Sequence, residues 1–449
     1  MSVNGHFEND FAYDNGRLHC EGIDLAQLAD AHGTPAYVYS RAAIQTRFRA
    51  YENALAGVPH RVCFAVKANS NLAVLSVLAE QGAGFDIVSG GELYRVLQAG
   101  GDPSSVVFSG VGKTEDEICF ALSNQIQSFN CESETEIELL SRLAHSMGET
   151  ASIAIRVNPD VDAATHPYIS TGLREHKFGV DIGSAEELYQ RAARLPGLRA
   201  EGVSCHIGSQ LLAVDPVLEA ADKVLSLIRR LRASGLPIKN IDLGGGLGVP
   251  YQPLERGVSI ELFIERLRPK LQSSNLTLML EPGRSIVAEA GVLVSRVLLV
   301  KKNGEKTFII LDAAMNDLIR PALYQAYHEI IPLNKPAASE RMKADVVGPV
   351  CETGDFFARD RELPALREGD LVAILMAGAY GFVLASNYNS RPRPCELLVD
   401  GSRIHVAKRR ETYADLIRGE TRANKIVPGI VHTDIGHDRV ACDIRSGPA

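Results

Sequence analysis

From about residue 60 the chain alternates short apolar runs with amphipathic stretches. The runs are VCFAV (62–66), FDIVS (85–89), SVVFS (105–109), IQSFN (126–130), ASIAIRVN (151–158), GVSCHI (202–207), NIDLG (240–244) and LTLMLE (276–281). Their length and their β-branched and aromatic content predict buried strands. Between most of them the apolar positions recur at helical spacing, over Leu72–Gln81, Glu92–Ala99, Ser133–Ser146, Ser184–Arg194, Val217–Ala233 and Ile260–Ser273. Ser133 precedes Glu136 by three residues and Ser184 precedes Glu187 by three, the spacing of a helix N-cap. Eight strands with intervening helices predict a (β/α)8 TIM barrel, with an open doubly wound sheet as the competing architecture. The conspicuous polar residues favour the barrel. Lys67, Asp86, His206, the glycines after Leu243 and Glu281 all fall at strand C-terminal ends, the face on which barrels build sites.

After Arg284 the pattern changes to Val- and Ile-rich segments with few long helices, such as 292–312, 343–356, 370–378 and 394–409. Asn303-Gly304 and Asp400-Gly401 sit between such runs and predict hairpins. The expected organisation is a barrel over 36–285 and a second, mainly β domain (a β-sandwich or barrel-like unit) from 1–35 and 286–422. Residues 423–449 are expected to form an irregular tail. The early segment Arg17–Cys20 is expected to join the β domain. Leu371–Ala385 is apolar but too short to span a bilayer, and is expected to form a strand, a turn and a strand.

Composition narrows the function classes. The chain has 449 residues, 45% of them hydrophobic, and a formal net charge of -8. That balance supplies a large core and argues against nucleic-acid binding, which needs a basic patch, while leaving small anions open. The N-terminus has no basic region followed by an apolar core. The eight cysteines form no CxxC, so neither a disulfide framework nor a zinc cluster is expected. The expectation is a cytoplasmic protein with no metal and no membrane partner.

The candidate chemistry begins with FAVKAN (64–69). A lysine closing an apolar strand either snorkels to solvent or acts as a Schiff-base amine whose pKa an apolar site lowers. DLGGGLG (242–248) is either a flexible turn or a phosphate cradle, and its spacing is poor for a dinucleotide site. In EPGR (281–284), Glu281 can hold a proton on a pyridine nitrogen, Gly283 and Arg284 can add to the cradle, and Arg284 can clamp a carboxylate. In CHIGSQ, His206 can lie over a flat ring and Ser209 can reach a phosphate. Asp86 can support the lysine or the histidine. Each residue alone has an ordinary reading: a surface salt bridge, a satisfied core histidine, an Asx turn. On one barrel rim they form the set that pyridoxal 5'-phosphate (PLP) requires.

The sequence resembles the diaminopimelate decarboxylase family, of the alanine racemase and ornithine decarboxylase-like group of PLP enzymes. The likeness runs from GTPAYVY (33–39) to about Arg409. It rests on FAVKAN, HPYISTGLREHKFG (166–179), CHIGSQ, DLGGGLG, EPGR, AAMNDLIRPALY (313–324), GPVCETGDF (348–356) and GAYGFVLASNYNSRPRP (378–394). The last three segments are the most specific.

The resemblance implies that Lys67 bonds to PLP, His206 stacks on the ring and Glu281 meets the pyridine nitrogen. It places Asp86 beside this site, and Gly245, Gly246, Gly283, Arg284, Ser209 and Tyr380 around the phosphate. It implies that Arg284, Arg320 and Tyr324 hold the distal carboxylate of meso-2,6-diaminopimelate, with Tyr380 nearby. Cys351 and Glu352 would come from the second subunit of a homodimer whose active sites lie at the interface. Glu352 would meet the distal ammonium, and Cys351 would lie near the reacting carbon as a catalytic group. The implied reaction is decarboxylation to L-lysine. The rival expectations are a related PLP decarboxylase of another basic or carrier-linked amino acid, an amino acid racemase, and a non-catalytic PLP-binding protein.

Overall fold

The computed structural model describes residues 10–161, 177–272, 274–335 and 340–423. The tail from 424 and most of HPYISTGLREHKFG lie outside the described residues.

All eight expected barrel strands form. They are His60–Ala65, Gly84–Ile87, Val106–Phe108, Ser128–Cys131, Ala151–Asn158, Leu198–Ser204, Asn240–Asp242 and Thr277–Leu280. Each pairs in parallel with the next, and Leu278 of the last registers with His60 of the first, so the sheet closes. Closure leaves no strand edge. Phe64, Phe85, Phe108 and Ile153 are buried in the main core shared with the helices, and Cys63, Val107 and Met279 form a small separate cluster. The expected helices form within a few residues of their predicted ends. Two more, Arg41–Ala54 and Glu115–Ser123, join the outer ring.

Local signals worked where the capping side chain was free to turn back. The Ser133 hydroxyl accepts from the Glu136 N–H at 3.2 Å. Ser184 does not cap its helix. Its backbone is already in the αR region, and its hydroxyl donates to the Asp181 carbonyl at 3.0 Å.

The second domain is built on a mixed sheet. Its main path runs Phe356–Pro364, Arg341–Val347, Lys306–Leu311, Gly291–Asn303, Ala36–Ser40, Cys395–Asp400, Arg403–Lys408. Both predicted hairpins are present. Ala36–Ser40, expected inside the barrel segment, lies instead near the middle of this sheet. It is antiparallel to Gly291–Asn303 on one side and parallel to Cys395–Asp400 on the other. All five of its residues are buried, so it needs a partner on each edge and cover on each face. Arg17–Cys20 forms a small three-stranded sheet with its neighbours. That sheet is tied to the β domain by the Leu18 N–H donating to the Leu333 carbonyl at 2.7 Å.

Leu371–Ala385 gives one strand, Leu371–Ile374, and not two. Its second half is held as a loop by close packing. A Cβ on Gly378 would lie 1.9 Å from the Val287 carbonyl oxygen, and one on Gly381 would lie 2.4 Å from that of Ala377. The loop crosses to the barrel, where the Tyr380 N–H donates to the Ala68 carbonyl at 2.8 Å.

Candidate active site

A cavity of about 460 Å³ opens where the barrel rim meets the second domain. The barrel lines it with Lys67, His206, Ser209, Gly246, Glu281, Gly283 and Arg284; the β domain adds Arg320, Tyr324 and Tyr380. These are the residues that the strand-end argument and the resemblance singled out. Gly245 and Asp86 sit just behind this lining.

Lys67 lies in a single 3-10 turn, Val66–Ala68, that ends the first barrel strand and aims its amine into the cavity. The amine donates to Asp86, which is fully buried. Burial alone would lower the lysine's pKa. The Asp86 carboxylate in direct contact with it more than offsets this and holds the ammonium above its usual range. The expected lowering by an apolar site is therefore corrected: the surroundings of Lys67 are acidic.

Glu281 ends the eighth strand inside a polar column. Ser109 Oγ and Asn130 Nδ2 donate to its Oε1 at 3.3 and 3.2 Å, and Asn130 also donates to Asp242 Oδ2 at 3.0 Å. Burial, then the neighbouring Asp242 and Asp86, push Glu281 well above the usual carboxylate range. Asp242 is also raised, by burial first. Two buried carboxyls in contact cannot both ionise cheaply, so the pair retains a proton.

His206 accepts at Nδ1 from the Gly245 N–H, at 3.3 Å. Its remaining proton is then on Nε2, and burial, Arg156 and Lys67 keep the ring neutral. The glycine loop brings backbone to backbone. Gly246 has φ +104, and a Cβ there would lie 2.5 Å from the Gly208 carbonyl oxygen. A Cβ on Gly283 would lie 2.8 Å from Ala68 Cβ. Only glycine permits both approaches.

Arg284 donates from Nη1 to Tyr251 Oη at 2.8 Å and from Nη2 to Ser209 Oγ at 3.1 Å, and its buried Nε has no partner. Its guanidinium also lies 4.8 Å from the Tyr380 ring. Arg320 lies 4.8 Å from the other aromatic between them, Tyr251. The two arginines are 7% and 5% exposed, and among the described residues neither pairs with a carboxylate. Burial raises the Tyr251 phenol, but the two guanidiniums outweigh it and pull it below its ordinary value. An uncompensated buried charge costs about 3–5 kcal/mol, so two such cations define an anion site.

Cys351 and Glu352 are exposed and do not line this cavity. The Cys351 N–H donates to Asn389 Oδ1 at 2.8 Å, and Glu352 Oε1 accepts from the Gly354 N–H at 3.2 Å. Tyr251, Asn130 and Asp242 were not singled out from sequence. Asp242 and Tyr251 flank the glycine loop on either side, which was the one signal available for them.

PLP fits these residues. An amine, a proton-retaining carboxyl, a flat neutral imidazole and a glycine-built cradle with an unsatisfied arginine nitrogen converge on one cavity.

Comparison with known proteins agrees. Residues 41–288 match the family described as pyridoxal-dependent decarboxylase, pyridoxal binding domain. The chain is 56% identical over 411 residues to diaminopimelate decarboxylase of Pseudomonas aeruginosa, covering 92% of this chain and 98% of that one. It is similar to the crystal structure of diaminopimelate decarboxylase from Helicobacter pylori complexed with L-lysine. There the TM-score is 0.84 and the identity 45%, over 88% of this chain and 98% of the other. For the crystal structure of diaminopimelate decarboxylase from m. jannaschii in co-complex with L-lysine the values are 0.88 and 38%, over 94% and 99%.

Proposed function

Because the chain belongs to the pyridoxal-dependent decarboxylases, and among them to the diaminopimelate decarboxylases, we propose that it converts meso-2,6-diaminopimelate to L-lysine and carbon dioxide. The observation that carries this reading is the meeting, in one cavity, of a lysine–carboxyl–imidazole set with two buried arginines that, among the described residues, pair with no carboxylate. The first set serves a reacting amino-acid head, and the arginines serve a second carboxylate.

When bound, PLP would supply an electron sink for the carbon that loses its carboxylate. The chain's residues do the rest. Lys67 provides the amine that holds the cofactor, and Asp86 takes up the ammonium when that amine is free. Glu281, backed by Asp242, Asn130 and Ser109, would hold a proton for the pyridine nitrogen. His206, kept neutral, offers a flat face with no charge to compete with that proton. Gly245, Gly246, Gly283, Ser209 and Arg284 form the phosphate cradle, with Tyr380 closing it from the β domain. Arg320 and Tyr324, with the far side of Arg284, hold the distal carboxylate. A substrate whose single carboxylate must sit at the reacting head leaves a buried guanidinium unpaired, which disfavours decarboxylation of lysine and ornithine.

Cys351 and Glu352 lie outside this cavity, which supports a homodimer in which the partner subunit supplies them. Cys351 of the partner subunit then stands near the reacting carbon and Glu352 of the partner subunit meets the distal ammonium. Among the described residues no helix is long and apolar enough to cross a membrane, and we place the enzyme in the cytoplasm.

The test is to incubate PLP-loaded protein separately with meso-diaminopimelate, ornithine and lysine, following carbon dioxide and the amine products. Lysine from diaminopimelate, with little release from the other two, is expected. No lysine at saturating PLP overturns the reading.

A further inference from the structure

His328 lies eight residues beyond Arg320, under the floor of the cavity, and is 0% exposed. Its Nδ1 is 2.8 Å from the Leu375 carbonyl oxygen, and Arg320 Nε reaches its Nε2 at 3.3 Å. A carbonyl oxygen only accepts, so the proton on that side must be on Nδ1. An arginine only donates, so Nε2 must present its lone pair. Both contacts therefore select one neutral tautomer, and they select the same one. A protonated ring would aim an N–H at a guanidinium N–H. Burial and the adjacent Arg320 push its pKa to about 3, so the ring stays neutral.

The ring is braced on its other sides. Tyr251 meets it edge-on, with centroids 5.5 Å apart at 72°. The backbone carbonyl of His328 accepts from Arg361 Nη1 at 3.1 Å. Leu375, the acceptor, directly follows the strand Leu371–Ile374 and is itself held by its N–H donating to the Glu329 carbonyl at 2.9 Å. Among the described residues the contact with His328 Nε2 is the one hydrogen bond of the Arg320 guanidinium. It takes Nε, at the edge where the side chain enters the fork, and leaves the terminal nitrogens for a ligand.

We propose that His328 is a positioning residue for substrate selection: as the Nδ1–H tautomer, anchored on Leu375, it accepts from Arg320 Nε and fixes the guanidinium fork at the angle that receives the distal carboxylate. The proposal rests on the reading of Arg320 as the carboxylate clamp. His328 touches neither substrate nor cofactor, and its effect passes through Arg320. A point charge alone would attract any anion. A fork locked about its own axis discriminates by angle, because bidentate pairing needs both N–H vectors aligned with the carboxylate.

Asparagine and glutamine separate this role from a merely structural one. The Asn amide can occupy the Nδ1 position and keep the donor to Leu375, but it leaves Arg320 Nε without an acceptor. The Gln amide oxygen can occupy the Nε2 position and keep the acceptor for Arg320, while giving up the anchor. PLP-loaded wild type, H328N and H328Q are titrated calorimetrically with L-lysine, which retains the distal amino-acid head and needs no turnover to be read. PLP affinity is measured alongside. The expected result is about tenfold weaker L-lysine binding in H328N, binding within about threefold of wild type in H328Q, and unchanged PLP affinity in both. Wild-type binding by H328N, equal weakening in both variants, or weakening in H328Q alone overturns the proposal.

If neither variant folds, or if wild type does not bind L-lysine, a neutron structure of the wild-type holoenzyme decides. A deuteron on Nδ1 and none on Nε2 supports the proposal, and a deuteron on Nε2 overturns it. Absence of lysine release from diaminopimelate by wild type would instead count against the functional reading, independently of this outcome.

Discussion

At the scale of single residues, the site is organised by charge that lacks a counter-charge. Glu281 and Asp242 share a buried, proton-retaining environment, and that has a measurable consequence. The unfolded carboxyl ionises near its ordinary value of about 4.3. The folded one, with its pKa raised, still holds its proton there. Above that pH the folded state binds more protons than the unfolded state, so this group's contribution to stability is full below the unfolded pKa and is lost as pH rises toward the folded one. Urea denaturation of cofactor-free protein should therefore show stability falling from mildly acidic to neutral pH. Glu281→Gln should flatten that slope. It should not abolish it, because Glu92 and Asp317, both raised to about 7 by burial, titrate in the same window. An unchanged slope in the variant would count against the shared proton. The arginines predict the opposite kind of defect. Arg320→Met removes the clamp, and kcat/KM for meso-diaminopimelate should drop about a hundredfold, the equivalent of ~3 kcal/mol for a charge-assisted contact. Most of that loss should appear in KM, because the distal carboxylate does not react.

At the scale of elements, the loop 242–248 and the turn 281–284 depend on close backbone approach. Gly246→Ala must both hold φ +104 and displace the Gly208 carbonyl. PLP affinity should weaken by at least about tenfold, since overpacking of this kind costs about 1–3 kcal/mol. A spectroscopic PLP titration would show it, and wild-type affinity would mean that the cradle lies elsewhere. The same elements show what can be read from a sequence. Barrel strands were legible because each is an apolar run bounded by polar residues, and Lys67, His206 and Glu281 were legible because each breaks such a run at its end. Ser184 misled because its spacing to Glu187 matches a cap while its backbone does not. Ala36–Ser40 fell inside the expected barrel segment because the boundary at residue 36 had no local signal: nothing in AYVYS says which neighbours bury it. Tyr251 and His328 escaped notice for a related reason. Their roles come from contacts with Arg284, Arg320 and Leu375, which chain order does not bring together.

At the scale of the whole molecule, Cys351 and Glu352 are placed on an exposed loop away from their own chain's cavity. If each site draws Lys67 from one subunit and Cys351 from the other, two dead variants should rescue each other. Equal mixing of Lys67→Ala and Cys351→Ala protein, with subunit exchange, leaves one intact site in each mixed dimer. Activity should return to about a quarter of the wild-type level, the statistical limit for random C2 pairing. No recovery, after exchange is verified by mass, would mean that both residues serve the same chain's site. A different whole-molecule property follows from the strand at residues 36–40. It is made early, yet one neighbour begins at Gly291 and the other at Cys395. During synthesis one edge stays open while about 250 further residues emerge, and the other while about 355 do, at the usual ~5–20 residues per second. An open apolar edge is a template for misassociation, so the growing chain has a period of vulnerability that ends only when its far end arrives. The strand Cys395–Asp400 thus acts as the closing stitch for one made about 355 residues earlier, and truncation near residue 390 should yield a protein that aggregates even though every barrel strand is present.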